Sequence, residues 1–438
     1  MKRMSSVEWG RVLAVAGVLA GAVGAWSGPV PPQRPLVAAG AGHSMVLDVE
    51  GRLWAWGWNA HGQLGVRDTA DRHEPVEVTA TGCDRWAAVA AYGRFTAGVC
   101  ADDGSLWTWG YDFDGQLGDG EPRQDVWSPA RISAGGDWNG VTAGLDHGIA
   151  VATNSLWSWG WNKNGQAGSS PDANQVIETP EKMVGVPEEG WVWLGAGRDH
   201  SLAVDTAGRL WGWGRKEYGQ LGDGIGGATE PDRGDPREIP HPDGRKWAAA
   251  TGGADHTLAI DEDGALWAWG RNHKGQLGVG DTADRGEPVR VGTVTGWVAV
   301  AAAGDFSVAI RTDGTLWAWG ENRFGQLGLG NTENRLVPTQ VGSDTDWAAV
   351  DAGQEDMPVE VPGGDPLEPG GHVIALKSDG RVFAWGRNTR GQLGDGTTED
   401  RWSPVEVFRV AVSAPTGGGG GGGGGGCFLQ AVAWGAGR

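Results

Sequence analysis

Cationic residues are scarce in this chain. Of 438 residues, 35 are Lys or Arg against 55 Asp or Glu, a formal charge of −20. Phosphate contacts dominate affinity for nucleic acid, so a chain this acidic lacks the basic footprint such binding needs. Long apolar runs are equally scarce. The one near the N-terminus, Val12 to Ala25, is about 14 residues long, short for a membrane-crossing helix and right for a signal-peptide core. Lys2, Arg3 and Arg11 precede it, and Val23-Gly24-Ala25 offers small residues for cleavage. Residues 1–25 therefore read as a signal peptide and 26–35 as a proline-rich connector. The mature chain is expected to be exported, extracellular or in the cell envelope, with no stable membrane insertion once the signal is removed; a cytoplasmic location is the alternative.

Cysteine is rare too, with three in all. Cys83 and Cys100 could pair in an oxidising compartment. Cys100, however, takes a slot filled elsewhere by Leu47, Ala150, Val204, Ile260, Ile310 and Leu376, which favours a buried free thiol. A catalytic constellation is missing as well. No Ser/His/Asp spacing, paired metal motif or phosphate loop stands outside the repeating frame, so the chain reads as non-enzymatic, with no cofactor and no metal.

What the chain does have is one sentence written seven times. LWAWGWNAHGQLG begins at Leu53 and returns from Leu106, Leu156, Leu210, Leu266, Leu316 and Val382, at spacings of 50 to 66 residues. Such self-similarity marks a repeat architecture. Each repeat offers four short runs rich in Val, Ile, Leu, Trp and Ala, a strand pattern. The turn between the second and third runs carries Gly51, Gly104, Gly208, Gly264, Gly314 and Gly380, with Asn154 in the third repeat; a residue at positive φ is the common demand. Four-stranded units in tandem bury both faces and shorten their edges when set around an axis. The expected fold is all-β, a seven-bladed β-propeller over residues 36–410. The tryptophans then fill the wedges between blades, and each Gly-Gln pair supplies a tight turn and an amide that bridges backbone groups.

The WG-x-N-x-x-GQLG pattern, with a preceding AG-x-x-H-S and a following Pro-x-x-Val, resembles the regulator of chromosome condensation (RCC1) repeat family. Plant ultraviolet-B receptors and secreted bacterial propellers that inhibit β-lactamases share that fold group, and the chain looks closest in type to the secreted ones. The resemblance implies a protein-binding scaffold, interactive or inhibitory; guanine-nucleotide exchange on a small GTPase is the alternative. In the exchanger an Asp follows the glycine of a G-D-x-H segment. The matching positions here are Ala41, Gly93, Leu145, Arg198, Ala254 and Gly304, and Asp305 fits only by a shifted register. The ultraviolet receptors carry Trp there, which none of these is.

The next position reads Gly42, Arg94, Asp146, Asp199, Asp255 and Asp305. The four aspartates are expected to cap their own turns; an acidic arc for a cation or a basic partner is the competing reading. His43, His147, His200, His256 and His372 recur once per blade, too far apart for a tetrahedral metal set, and are expected to make structural hydrogen bonds.

Two stretches depart from the repeat. An acidic insert covers 354–371 in the seventh copy, a functional loop or a disordered one. A Gly-rich linker, 411–426, leads to 427–438, a partial eighth repeat or a loosely held tail.

Directly after each Trp-Gly stands a residue that does not repeat: Trp58, Tyr111, Trp161, Arg215, Arg271, Glu321 and Arg387. In a ring these are equivalent places. Blades one to three would form an aromatic arc joined by Phe113, and blades four, five and seven would supply arginine. Such residues dominate binding hot spots; packing against the next blade is the competing reading. The candidate partner-binding set is Trp58, Tyr111, Phe113, Trp161, Arg215, Arg271 and Arg387. The expected partner is a protein, with polysaccharide the alternative, held by a monomer. Trp58→Ala and Trp161→Ala are expected to abolish capture with little change in Tm.

Overall fold

The computed structural model describes residues 36–412 except 122, 133–136, 170–175, 189, 225–231 and 355–369. The expected signal peptide, the connector, nearly all of the acidic insert and the tail lie outside the described residues.

The first repeat forms β1 (Leu36–Ala39), β2 (His43–Leu47), β3 (Leu53–Gly57) and β4 (Arg72–Val78), antiparallel and hydrogen-bonded in that order. Six more four-stranded sheets follow, each from four consecutive strands, ending with Arg401–Arg409. The chain is thus the expected seven-bladed all-β propeller. No helix among the described residues is long and apolar enough to cross a membrane.

The hairpin turns behave as their residues require, with Gly51 at φ 83° and Asn154 at φ 67°. The constant Gly after each Trp has a second task. Gly57 sits at φ 102°, and a Cβ there would lie 2.5 Å from the Gly42 carbonyl oxygen. That close approach lets the next residue, Trp58, donate its N–H to the same carbonyl at 2.7 Å. The bond recurs at Tyr111, Trp161, Arg215, Arg271, Glu321 and Arg387, at 2.8–3.0 Å. All seven variable residues are therefore pinned to one face.

The seams between blades are held by indoles. Trp56, Trp109, Trp159, Trp213, Trp269, Trp319 and Trp385 are fully buried. Each donates its N–H to the backbone oxygen of the Gln in the preceding blade's Gly-Gln pair, at 2.8–3.0 Å. The same Gln turns its side-chain oxygen onto a backbone N–H of its own loop, as Gln63 does to His61 at 3.0 Å, so the amide bridges as expected. The histidines serve the seams too. His43, His147, His200, His256 and His372 each hydrogen-bond a Ser or Thr hydroxyl of the next blade at 2.9–3.1 Å. Burial lowers the first four to about 3 and His372 to about 4, so all five stay neutral.

The ring closes between blades seven and one. Ala39 donates its N–H to Asp351 at 3.0 Å, and burial raises that carboxyl to about 7. The last strand, at nine residues, brings Phe408 to 4.9 Å from the Trp54 ring.

One expectation is corrected: Cys83 and Cys100 are not free thiols but a disulfide, their Cα atoms 5.8 Å apart. The apolar character of the Cys100 slot holds, since both residues pack in a hydrophobic cluster with Trp86 and Trp107. Cys83 reaches it from the connection between two blades, where the repeat has no equivalent.

A candidate binding face built from what does not repeat

The face that carries the variable residues has a second variable position, three residues further on: His61, Asp114, Asn164, Tyr218, Lys274, Phe324 and Arg390. It meets the first position of the following blade. His61 lies edge-on to Tyr111 at 4.7 Å; Arg271 stands over Tyr218 at 4.6 Å, Arg387 over Phe324 at 4.4 Å and Arg390 over Trp58 at 5.5 Å. Lys274 pairs with Glu321 at 3.6 Å. Packing against the neighbouring blade and display on the face are thus properties of the same residues.

They are displayed unequally. Phe113 is 65% exposed and stacks at 6.4 Å on Tyr111, which is half-buried, as are Trp161, Arg215 and Arg271. Trp58 is only 7% exposed and Arg387 only 3%. Trp58 is held between two guanidinium groups, Arg94 at 5.4 Å and Arg390 at 5.5 Å, with His61 edge-on at 5.4 Å. It supports the patch from below, so loss of stability, and not only of capture, is expected from Trp58→Ala.

The aspartates do not form an open acidic arc. Asp146, Asp199 and Asp305 accept an amide N–H from Gln116, Gln166 and Gln276 of the preceding blade at 3.0, 3.3 and 2.7 Å. Asp255, 1% exposed at its side chain, is met by Arg198 at 3.3 Å and by Arg215 and Arg271 at 3.4 Å. Their carboxylates serve the seams. Burial raises Asp305 to about 6 although Arg271 pulls it down, and burial raises Asp199 against the pull of Arg198 and Arg215.

Sequence reasoning missed His61, Arg390, Tyr218 and Phe324. A signal was present: the position three residues after the first variable one varies as freely, and only the ring geometry makes it a partner of the next blade.

These features define a seven-bladed propeller of one repeated frame, and the family is explicit in the sequence. The chain belongs to the RCC1-like domain family, whose model matches residues 33–308; RCC1 repeat models match 297–326, 313–355 and 379–416. It is 33% identical over 254 residues to the ultraviolet-B receptor UVR8 of Arabidopsis thaliana, covering 58% of this chain and 56% of that one. It is 28% identical over 261 residues to the human E3 ubiquitin-protein ligase HERC2, which is 59% of this chain and 4% of that one. The chain therefore spans about half of the first relative and a small part of the second. Among solved structures, yeast Prp20p superposes with a TM-score of 0.70 at 20% identity, covering 93% of this chain and 90% of that one. Human WBSCR16 superposes at 0.68 and 23% identity, covering 82% and 94%. At those identities the likeness is one of fold.

Proposed function

We propose that the protein is a non-enzymatic, exported binding propeller that grips a protein partner through the arc of blades one and two. One observation carries this reading: exposed Phe113 stacks on Tyr111, which His61 backs edge-on, His61 in turn meeting Trp58 edge-on. A large aromatic displayed on an ordered base meets a partner at low entropic cost. Prp20p, which shares this fold, binds Gsp1p and histones. Export is supported by the N-terminal segment and by the Cys83–Cys100 disulfide, since disulfides persist in oxidising compartments. A monomer suits a face whose two arcs differ so much in chemistry.

Nucleotide exchange on a small GTPase is the second reading, favoured by Asp305 directly after Gly304. That carboxylate is taken by Gln276 at 2.7 Å and His273 at 3.3 Å, which weighs against it. Affinity capture from the extracellular fraction of the native host, with sequencing of the mature N-terminus, tests the proposal. A start near Trp26 and a partner captured by the wild type but not by Phe113→Ala are expected. A chain that retains Met1 inside the cell and speeds nucleotide release from a GTPase would replace it.

A further inference from the structure

At three seams the ring supplies its own acceptor, the aspartates that receive Gln116, Gln166 and Gln276. At the seams entering blades one and two that carboxylate is missing. The corresponding positions hold Gly42 and Arg94. Gln392 and Gln63, both fully buried, are left with side-chain amide nitrogens that have no hydrogen-bond partner; the same holds for Gln326, and for Gln220 although Asp255, taken up by three arginines, stands at its seam. The backbone brings each pair together: Gly57 abuts the Gly42 carbonyl and the Gln392 Cα, and Gly110 abuts the Arg94 carbonyl and the Gln63 Cβ. Gly160 abuts the Asp146 carbonyl in the same way where the ring provides an aspartate.

Two guanidinium groups lie on the same arc, beside the Trp58 that follows Gly57. Arg390 has a buried Nε without a partner, and Asp71, the carboxylate nearest to it, stands at 4.0 Å. No ion pair holds Arg94 among the described residues. Both guanidinium groups lie over the Trp58 indole. Asp125, close by, is occupied by His61 at 2.8 Å. Asp114 is near enough for Arg94 to pull on its carboxyl, which burial nevertheless raises. In a chain of charge −20, this is a cluster of donors lacking an acceptor. Buried amide donors without a partner are uncommon in native folds and ask for an explanation.

We propose that this patch is a carboxylate-binding subsite: an Asp or Glu side chain on an exposed segment of the partner takes the place the ring's own aspartate fills elsewhere. Charge-assisted bonds from guanidinium to carboxylate are short and geometrically specific. The inference rests on the reading that the partner is a protein.

The test uses the full mature protein and three probes: a capped hexaglutamate peptide, a capped hexaglutamine peptide and oligogalacturonate. The side-chain amide resonances of Gln63 and Gln392 are followed by ¹⁵N NMR. Hexaglutamate should shift both in a saturable way and hexaglutamine neither. Gly42→Asp and Arg94→Asp, which install the residue of the other seams, should weaken hexaglutamate binding at least ~10-fold, with no fall in Tm for Gly42→Asp. Unmoved glutamine resonances, or aspartate variants that bind like the wild type, would overturn the subsite. Resonances that move with oligogalacturonate alone would overturn the protein source of the carboxylate. If Phe113→Ala loses the host partner while Arg94→Asp keeps it, the subsite fails and the binding face stands; if both variants keep it, the reading of the face fails.

Discussion

Two arcs of one face share a backbone frame and differ in how their polar groups are satisfied. In blades three to six, aspartates follow the first turn and the ring consumes them internally: Asp255 draws in three arginines and Asp305 an amide and an imidazole. In blades seven, one and two, glycine or arginine replaces the aspartate, the arginines lie on aromatic rings instead of carboxylates, and the amides of Gln326, Gln392 and Gln63 have no partner, as that of Gln220 has none in the first arc. The first arc engages its aspartates within the ring, and the second has none to engage. A repeat protein gains specificity in this way without altering its frame: it omits, at chosen seams, a group the frame supplies at others.

The comparison can be broken from either side. The largest effect is expected at Asp255→Ala, which removes the buried carboxylate that three half-buried guanidinium groups share and should cost about 3 kcal/mol in urea unfolding, Asp199 and Glu217 remaining as partners for Arg198 and Arg215. A loss below ~1 kcal/mol would mean that the arginines find other acceptors and that the first arc is not closed on itself. Trp58→Ala should follow at about 3 kcal/mol, since the indole is buried beneath Arg94 and Arg390. An unchanged Tm would return Trp58 to the surface.

A third expectation concerns pH. Asp112 stands where five other blades have Asn59, Asn162, Asn272, Asn322 and Asn388. Each of those accepts a backbone N–H five residues on and also donates its amide to its own loop, as Asn59 does to Asp68 at 2.8 Å. Asp112 accepts from Leu117 at 3.0 Å, but as a carboxylate it has no hydrogen to give. Burial raises it to about 7; Asp119 and Glu178 add to the rise and Arg123 opposes it. A raised carboxyl keeps a proton in the fold that the unfolded chain has released. Its contribution is therefore lost as pH climbs from about 4 to about 7 and changes little beyond. Asp112→Asn should make stability fall less, or rise more, than in wild type between about pH 4 and 7; Asp351 and Asp305, also raised by burial, contribute in the same direction as Asp112, and the five buried neutral histidines oppose it. An unchanged slope would show that Asp112 is ionised in the fold. The smallest structural effect belongs to Phe113→Ala, within ~0.5 kcal/mol of wild type in stability yet at least ~10-fold weaker in partner capture.

The fold was legible because its signal was repeated: LWAWG and GQLG recur at fixed places, and strands, turns and indole wedges follow from them. Much of the site was not. Trp58 and Phe113 are both aromatic residues beside a Trp-Gly, and only the packing of Arg94 and Arg390 from neighbouring blades buries one and leaves the other exposed. The aspartates read as caps of their own turns because a single repeat cannot reveal a bond to the repeat before it. The Cys83–Cys100 bridge escaped for a related reason: Cys100 was judged by its slot in the repeat, and Cys83 has no slot.

The most direct measurement is partner capture from the host's extracellular fraction by four immobilised proteins: wild type, Phe113→Ala, Arg94→Asp and Val184→Ala, the last an exposed apolar residue outside this arc. The account predicts the same protein on wild type and Val184→Ala and its loss from the other two. Equal capture on all four would contradict the claim that blades one and two hold the binding site.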